Sequence, residues 1–467
     1  MERTYHLWNP FTDLEEFLPY KDVGPMTIVR GEGPFVYNEA GKKFINASGS
    51  LWNVAVGHGR EELADIAFDQ MKKLCYSSCF RQTHPKACEL ADCLCALTGN
   101  YYDKAYLGSN GSEAVETALK MTRQYFRQSK EEDKRGKYKI LSFKGCYHGV
   151  SYGAIGLSGD ETNERLYAPL PGGLLKVEPP YSYHRAYGTL DQTECEFKCL
   201  EEIQRVIERE GPDTMAAFIA EPVMGERGIV TISDSFFDSL MELLNRYDML
   251  MIADEVTTGF GRTGDLFATD RWKKRPDILC LGKGISSGYL PVSAVLATNK
   301  VYENFKGENN YFQHGSTSSG NPVCSAVALG NIDIILRENL VENSRETGAY
   351  LIKKIKSLME ERPVLGDVRG RGLMIGLELV EDRITRKPLG ESEMFEIVAD
   401  CASLGVIVYY NRNVIALFPP LIITKDIADH IYSTLRTALD TSKKEEILKK
   451  KRLLKELVSS KMRTANS

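Results

Sequence analysis

Five short apolar runs are separated by stretches of helical periodicity: "KILSF" at 139–143, "MAAFIAEPV" at 215–223, "MLMIADEV" at 249–256, "DILCLG" at 277–282 and "VSAVLAT" at 292–298. Runs this short and this uniformly apolar need cover on both faces, and a helix between successive strands supplies it. The pattern predicts an α/β chain built on a mostly parallel sheet wrapped by helices. In such a sheet ligands bind beyond the carboxyl ends of the strands, so the polar residues that close each run are the ones to inspect.

The alternation holds over 61–305, which we read as the large domain. Residues 1–60 carry "MTIVRGEGPFVYN" and "KKFINA", strand-like pieces whose Gly and Pro punctuation reads as hairpins at the edge of a domain completed elsewhere. Residues 306–440 carry a helical "PVCSAVALGNIDIIL", a strand-rich "VRGRGLMIGLELV" and a helical "TKDIADHIYSTLRTALD", which predict a smaller α+β domain joined by the N-terminal pieces. In the tail, 441–467, the stretch "KKEEILKKKRLLKELVSSKMR" sets nine Lys or Arg against three Glu. Ile447, Leu454, Leu457 and Val458 could share one helical face there, which predicts a basic amphipathic helix, either packed on the protein itself or offered to a membrane or a partner.

With 467 residues, 43% hydrophobic and 26% charged, the chain is long enough for two cored domains. A net charge of −5 gives no basic footprint for nucleic acid or an anionic membrane, which leaves a small-molecule or protein partner. No apolar run approaches the ~20 residues of a spanning helix, and "MERTYHLWNPFTDLEEF" lacks the apolar core of a secretory signal. The eleven cysteines form no CxxC, and "CYSSC" and "CELADCLC" read as core packing rather than a metal site. These features lead us to expect a cytoplasmic protein with reduced thiols and no bound metal.

Three of the apolar runs end on chemistry. Glu221 closes "AAFIAE", Asp254 closes "MLMIAD", and Lys283 follows "DILCLG". A lysine enclosed by apolar groups loses hydration, its pKa falls, and the neutral amine attacks carbonyl carbon. The flanking Gly282 and Gly284 would let a flat aromatic cofactor approach the backbone. Asp254 at a buried strand end needs a cation, either the protonated ring nitrogen of pyridoxal phosphate or an arginine such as Arg262. In "AYLGSNGSEAVETALKMTRQYF" a strand-like start runs into a helix at Gly111 and Ser112, where free backbone N–H groups either bind a phosphate or are capped by Ser109 or Asn110. A nucleotide P-loop is excluded, because GxxxxGK[ST] occurs nowhere.

With "GSEAVETALK", "YHGVS", "EPVMG", "IADEVTTGFGRTG", "PDILCLGKGIS" and "HGSTSSGNPV" in this order, the chain resembles the class III pyridoxal-phosphate aminotransferases, the group of omega-amino acid:pyruvate transaminases, over about residues 5–440. The resemblance implies fold type I: a large domain with a mostly parallel seven-stranded sheet flanked by helices, plus a smaller α+β domain. It implies that Lys283 forms the Schiff base with pyridoxal 5'-phosphate and shuttles the proton, and that Asp254 pairs with the ring nitrogen. Val256 and Tyr147 then pack on the two ring faces, Gly111 and Ser112 take the phosphate, and Glu221 belongs to the same cofactor site. Thr317 of "HGST" would reach the phosphate of a neighbouring subunit, with Ser316 beside it among the cofactor-binding residues, so that a homodimer shares its active sites. The implied reaction is a ping-pong transfer of an amino group from a primary amine or omega-amino compound to an aldehyde, ketone or keto acid. An epimerase or aminomutase of the same fold, or a scaffold that has lost catalysis, are the alternatives.

The chain departs from the family pattern in its substrate pocket. Many relatives carry an arginine for α-carboxylates where "GVIVYYNRNVIALFPPL" has Tyr409, and Arg412 is the nearest substitute. Trp52 of "GSLWN" is either a pocket wall or a core tryptophan, and Glu226 and Arg227 of "EPVMGERG", where relatives carry small residues, either bind a polar substrate or pair with each other. The expected substrate is a terminal amine, or its aldehyde, with no α-carboxylate beside the reacting carbon.

Overall fold

The computed structural model describes residues 6–12, 27–159 and 161–440. Strands β1 (Ile28–Glu32), β2 (Phe35–Asn38) and β3 (Lys43–Asn46) form the expected N-terminal hairpins. Strands β4 (Lys104–Gly108), β5 (Lys139–Phe143), β6 (Leu174–Val177), β7 (Met215–Ala220), the short pair β8 (Val223–Met224) and β9 (Val230–Thr231), β10 (Leu250–Asp254), β11 (Ile278–Leu281) and β12 (Ser293–Ala297) follow. The chain ends in β13 (Leu365–Arg371), β14 (Met374–Asp382), β15 (Lys387–Pro388), β16 (Val406–Ile407), β17 (Tyr409–Asn411) and β18 (Val414–Leu417).

Seven strands make the central sheet in the order β4-β12-β11-β10-β7-β5-β6. Every residue of β7, β10, β11 and β12 is buried, which is why these segments read as unbroken apolar runs. One strand differs from the parallel expectation: β12 runs antiparallel to both β11 and β4. A parallel return needs a crossover of about a dozen residues or more, usually a helix. The connection after β11 holds only the single turn Lys283–Ile285, so "VSAVLAT" turns back beside its predecessor.

Helices cover the sheet. The helix Gly111–Arg127 buries Ala114, Val115, Ala118, Leu119, Thr122 and Phe126, the face its spacing predicts, against β11 and β12. The helix Pro322–Arg337 starts on Asn321, whose side chain accepts from the N–H groups of Val323 and Cys324, with a proline at its first position. Strands β13, β14, β18 and β17 form a second, antiparallel sheet, with β15 paired to β14. Strand β3 pairs in parallel with β16, Ile45 opposite Val406, so the N-terminal hairpins are completed by chain from the far end of the sequence. Among the described residues no helix is long and apolar enough to cross a membrane. The expected tail helix at 441–467 lies outside the described residues.

Candidate active site at the carboxyl edge of the central sheet

Five segments leave the sheet at the same edge, four from the adjoining strands β11, β10, β7 and β5 and one from β4 on the far side of β12. Gly111 and Ser112 follow β4, Tyr147 and His148 follow β5, Glu221 follows β7, Asp254 ends β10, and Lys283 follows β11. The parallel run of the sheet brings together residues that are scattered along the chain.

The helix that starts at Gly111 is capped by Asn110, whose Oδ1 accepts from the Glu113 N–H at 3.0 Å, so Asn110 rather than Ser109 fills the capping role. The backbone N–H groups of Gly111 and Ser112 have no acceptor among the described residues. Ser112 Oγ accepts from the Val150 N–H at 3.1 Å and ties this turn to the Tyr147 loop. Gly111 has no room for a side chain: a Cβ there would lie 2.7 Å from Val256 Cγ1. Val256 is thus a wall shared by this turn and by Gly282, whose Cβ would meet the same atom at 3.1 Å. A Cβ at Gly284 would meet Phe260 Cβ at 3.0 Å, so both flanking glycines are packed closely against the protein as well.

Asp254 is buried and doubly held. Its Oδ1 accepts from the Val256 N–H at 3.0 Å, and its Oδ2 accepts from His148 Nδ1 at 2.7 Å. The arginine alternative fails, since Arg262 donates to the carbonyl oxygens of Leu373 at 3.0 Å and Pro419 at 2.6 Å. Glu221 accepts from the N–H groups of Tyr147 at 3.0 Å and Gly225 at 2.9 Å, and burial pushes its carboxyl up to about 7.

Lys283 has a φ of 39°, in the left-handed region that a non-glycine residue adopts at a cost of about 1–3 kcal/mol and that recurs at functional sites. Its amine donates to Thr257 Oγ1 at 2.7 Å and lies 5.5 Å from the centre of the Trp52 ring. Burial lowers its pKa, while the carboxylates of Asp254, Glu221 and Glu226 act the other way. The amine is therefore easier to deprotonate than an ordinary lysine.

Trp52 is both wall and core: it stacks on Phe418 at 4.3 Å, meets Tyr409 edge-on at 5.4 Å, and is only 5% exposed. Glu226 and Arg227 do not pair with each other. Arg227 donates to Glu178 Oε1 at 3.1 Å and packs under Gly145, whereas Glu226 Oε2 accepts from Asn411 Nδ2 at 2.6 Å. Arg412 sits exposed on the turn between β17 and β18, which leaves Tyr409 at the pocket. Ser316 and Thr317 lie in a surface loop, with Thr317 exposed and its carbonyl accepting from the Tyr76 hydroxyl at 3.0 Å. The Ser316 N–H donates to Ser319 Oγ at 3.2 Å, and no hydrogen bond from Ser316 or Thr317 reaches Lys283 or Asp254 among the described residues.

Sequence reasoning missed His148, Thr257, Phe418 and Asn411. His148 and Thr257 stand inside the quoted "YHGVS" and "IADEVTTGFGRTG", so the signal was present; Phe418 and Asn411 carried none, because their contacts depend on the second sheet docking here. The cleft offers unused N–H donors at the turn that Gly111 keeps open, a buried carboxylate and a desolvated amine. That donor set fits pyridoxal phosphate, which carries a phosphate, a basic ring nitrogen and an aldehyde.

The profile of the "Aminotransferase class-III" family matches residues 19–439. The chain is 34% identical to a putrescine–pyruvate aminotransferase of Pseudomonas aeruginosa, covering 94% of this chain and 95% of that one. It is 33% identical to a hypotaurine/taurine–pyruvate aminotransferase of Paracoccus denitrificans, covering 93% and 95%. Among solved structures, a PLP-bound amine transaminase from an uncultivated Pseudomonas species superposes with a TM-score of 0.90 at 34% identity, over 94% of this chain and 99% of that one.

Proposed function

The chain belongs to the class III aminotransferases, enzymes that depend on pyridoxal 5'-phosphate, and from that premise we propose how its residues divide the work. Bound in the cleft, the cofactor supplies an aldehyde that condenses with amines and a protonated ring that draws electrons from a neighbouring C–H bond. Gly111 and Ser112 hold the phosphate through their backbone N–H groups, and Ser316 and Thr317 of a second copy complete that grip. Tyr147 and Val256 clamp the two ring faces, with Glu221 fixing the Tyr147 loop. Asp254, oriented by His148, keeps the ring nitrogen protonated. Lys283 would hold the cofactor's aldehyde through Nζ, and its free amine is placed to move the proton at the donor carbon. The donor leaves as a carbonyl compound and the acceptor gains its amino group, so nitrogen and electrons balance over the two half-reactions.

The observation that carries this reading is the pairing of a desolvated Lys283 amine with an Asp254 carboxylate backed by His148, at neighbouring strand ends. The donor we infer is a primary amine or omega-amino compound without an α-carboxylate at the reacting carbon, because Tyr409 offers no guanidinium fork. Burial and the nearby charge of Glu226 push the Tyr409 hydroxyl up to about 12, so it stays a neutral phenol. We also infer a cytoplasmic homodimer whose large domain, 61–305, works with a smaller one of 306–440 and the N-terminal segment 1–60; the β3–β16 pairing supports that division, and the eleven free cysteines suit a reducing compartment. Half-reactions with alanine, glutamate and simple primary amines, read by loss of the cofactor's absorbance, test the donor assignment, with Lys283→Ala as the control. Bleaching by primary amines is expected, and bleaching by α-amino acids alone would overturn the assignment.

A further inference from the structure

His314 joins the helix Gly111–Arg127 to the loop 314–320 that carries Ser316 and Thr317. Lys120 Nζ donates to His314 Nδ1 at 3.0 Å, and His314 Nε2 lies 2.8 Å from the hydroxyl of Thr117, a fully buried residue. A lysine ammonium only donates, so Nδ1 has to accept and the ring proton sits on Nε2. Nε2 then donates to Thr117 Oγ1, whose own hydrogen goes to the Glu113 carbonyl at 2.7 Å. Every bond in this chain requires a neutral imidazole.

The surroundings of the ring oppose its charging. A protonated ring would set an N–H against the Lys120 ammonium. Burial and Lys120 lower the His314 pKa against the pull of Glu113 and Glu116 on the same helix. Strand β4 adds the Tyr106 ring at 5.2 Å, and Phe312 lies at 5.4 Å. Beside the ring is a cavity of about 420 Å³, lined also by the thiols of Cys79 and Cys88, which gives a released ring space to turn. Gln124 holds the chain just before His314, through the Tyr311 carbonyl at 2.8 Å and the Gln313 N–H at 3.2 Å. The far end of the loop is held where the His84 ring meets the Gly320 carbonyl at 2.6 Å. His314 is thus the tie at the near end, two residues before Ser316.

We propose that His314 is a positioning residue for the phosphate grip: its neutral ring latches the Ser316–Thr317 loop to the helix that opens at Gly111, and protonation in mild acid lets the loop go. The link to the phosphate rests on the aminotransferase reading above, whereas the latch stands on the geometry of this chain. The folded pKa lies below the ordinary 6.5, so the latch is complete above pH 6.5 and is lost as the pH falls through the lower folded value. If only the neutral ring fits the closed loop, going from pH 7.5 to 5.5 multiplies the population of the open loop by up to about tenfold.

Hydrogen–deuterium exchange of the full chain, with and without pyridoxal phosphate, reads the latch at the amides of Ser316 and Ser319, which donate to Ser319 Oγ at 3.2 Å and to the Ser316 carbonyl at 3.1 Å. After correction for intrinsic exchange rates, the wild type is expected to lose protection there by up to about tenfold between pH 7.5 and 5.5. His314→Gln keeps a donor and an acceptor but does not titrate, so its protection should match the wild type at pH 7.5 and stay level down to pH 5.5. His314→Ala should be unprotected at both. The dissociation constant of pyridoxal phosphate should rise in the wild type relative to His314→Gln over the same range. Wild-type protection that changes by less than about twofold, a His314→Gln protein that loses protection in step with the wild type, or a dissociation-constant ratio that stays level each overturns the proposal. Protein that binds no pyridoxal phosphate at either pH would instead refute the aminotransferase reading.

Discussion

His148 Nδ1 donates to Asp254 Oδ2 at 2.7 Å, joining two buried side chains that lie 106 residues apart in sequence. The bond orients the carboxylate and satisfies one of its oxygens, while the Val256 N–H satisfies the other. A hydrogen bond to a charged group contributes about 1.5–3 kcal/mol. His148→Ala is therefore expected to lower kcat by roughly ten- to a hundredfold. It should also shift the absorbance band of the bound cofactor, which a purely structural role for His148 would leave in place. Steady-state kinetics and absorbance spectra of the variant check both.

Gly111 and Val256 are fitted to each other. In Gly111→Ala the new methyl group meets Val256 Cγ1 at 2.7 Å, and overpacking of this kind costs about 1–3 kcal/mol. Weaker cofactor binding is the expected outcome, measured as the dissociation constant by titrating the apoenzyme. Adding Val256→Ala to Gly111→Ala makes space again, so the double variant should bind the cofactor more tightly than Gly111→Ala alone.

Trp52 buries its ring between Phe418 and Tyr409. Truncation to alanine removes a stacked contact at 4.3 Å and leaves a cavity, at a cost of about 3–5 kcal/mol. A lower thermal midpoint together with acceptance of bulkier amines is expected for Trp52→Ala. Trp52→Phe should recover most of the midpoint, and differential scanning fluorimetry with a donor series reads both effects.

Glu378, on β14, is a buried carboxylate. Burial alone would raise its pKa, but the hydrogen bond from His184 and the charge of Arg369 more than offset that and hold it at about 2. The folded value lies below the ordinary 4.5, so the stabilisation is complete above pH 4.5 and is lost as the pH falls through 2. Its full size is about 3 kcal/mol by linkage. Glu378→Gln should unfold at lower urea than the wild type at pH 7, and the gap should narrow progressively at pH 4 and pH 3. An equal gap at all three would show that charge plays no part.

Much of the fold could be read from the chain because each signal was local. A strand buried on both faces has to be apolar throughout, so β5, β7, β10, β11 and β12 announced themselves, and the spacing of Val115, Ala118, Leu119 and Phe126 announced a helix. Strand β6 escaped notice, as an edge strand with only its last residue buried carries little apolar signal. The identities of Lys283, Asp254 and Gly111 could likewise be read, since each stands where a strand gives way to a turn.

Amino-acid order alone determined that apolar strands would alternate with helices and that an amine, a carboxylate and a glycine turn would follow strand ends. Only the tertiary structure decided the direction of β12, the choice of His148 over Arg262 as the partner of Asp254, and the separation of Glu226 from Arg227. Local sequence sets backbone preference and hydrophobic period, which act over a few residues. A half-buried charge takes the partners that packing brings within hydrogen-bond reach, and for Glu226 one of them stands 185 residues away, on a strand of the other sheet.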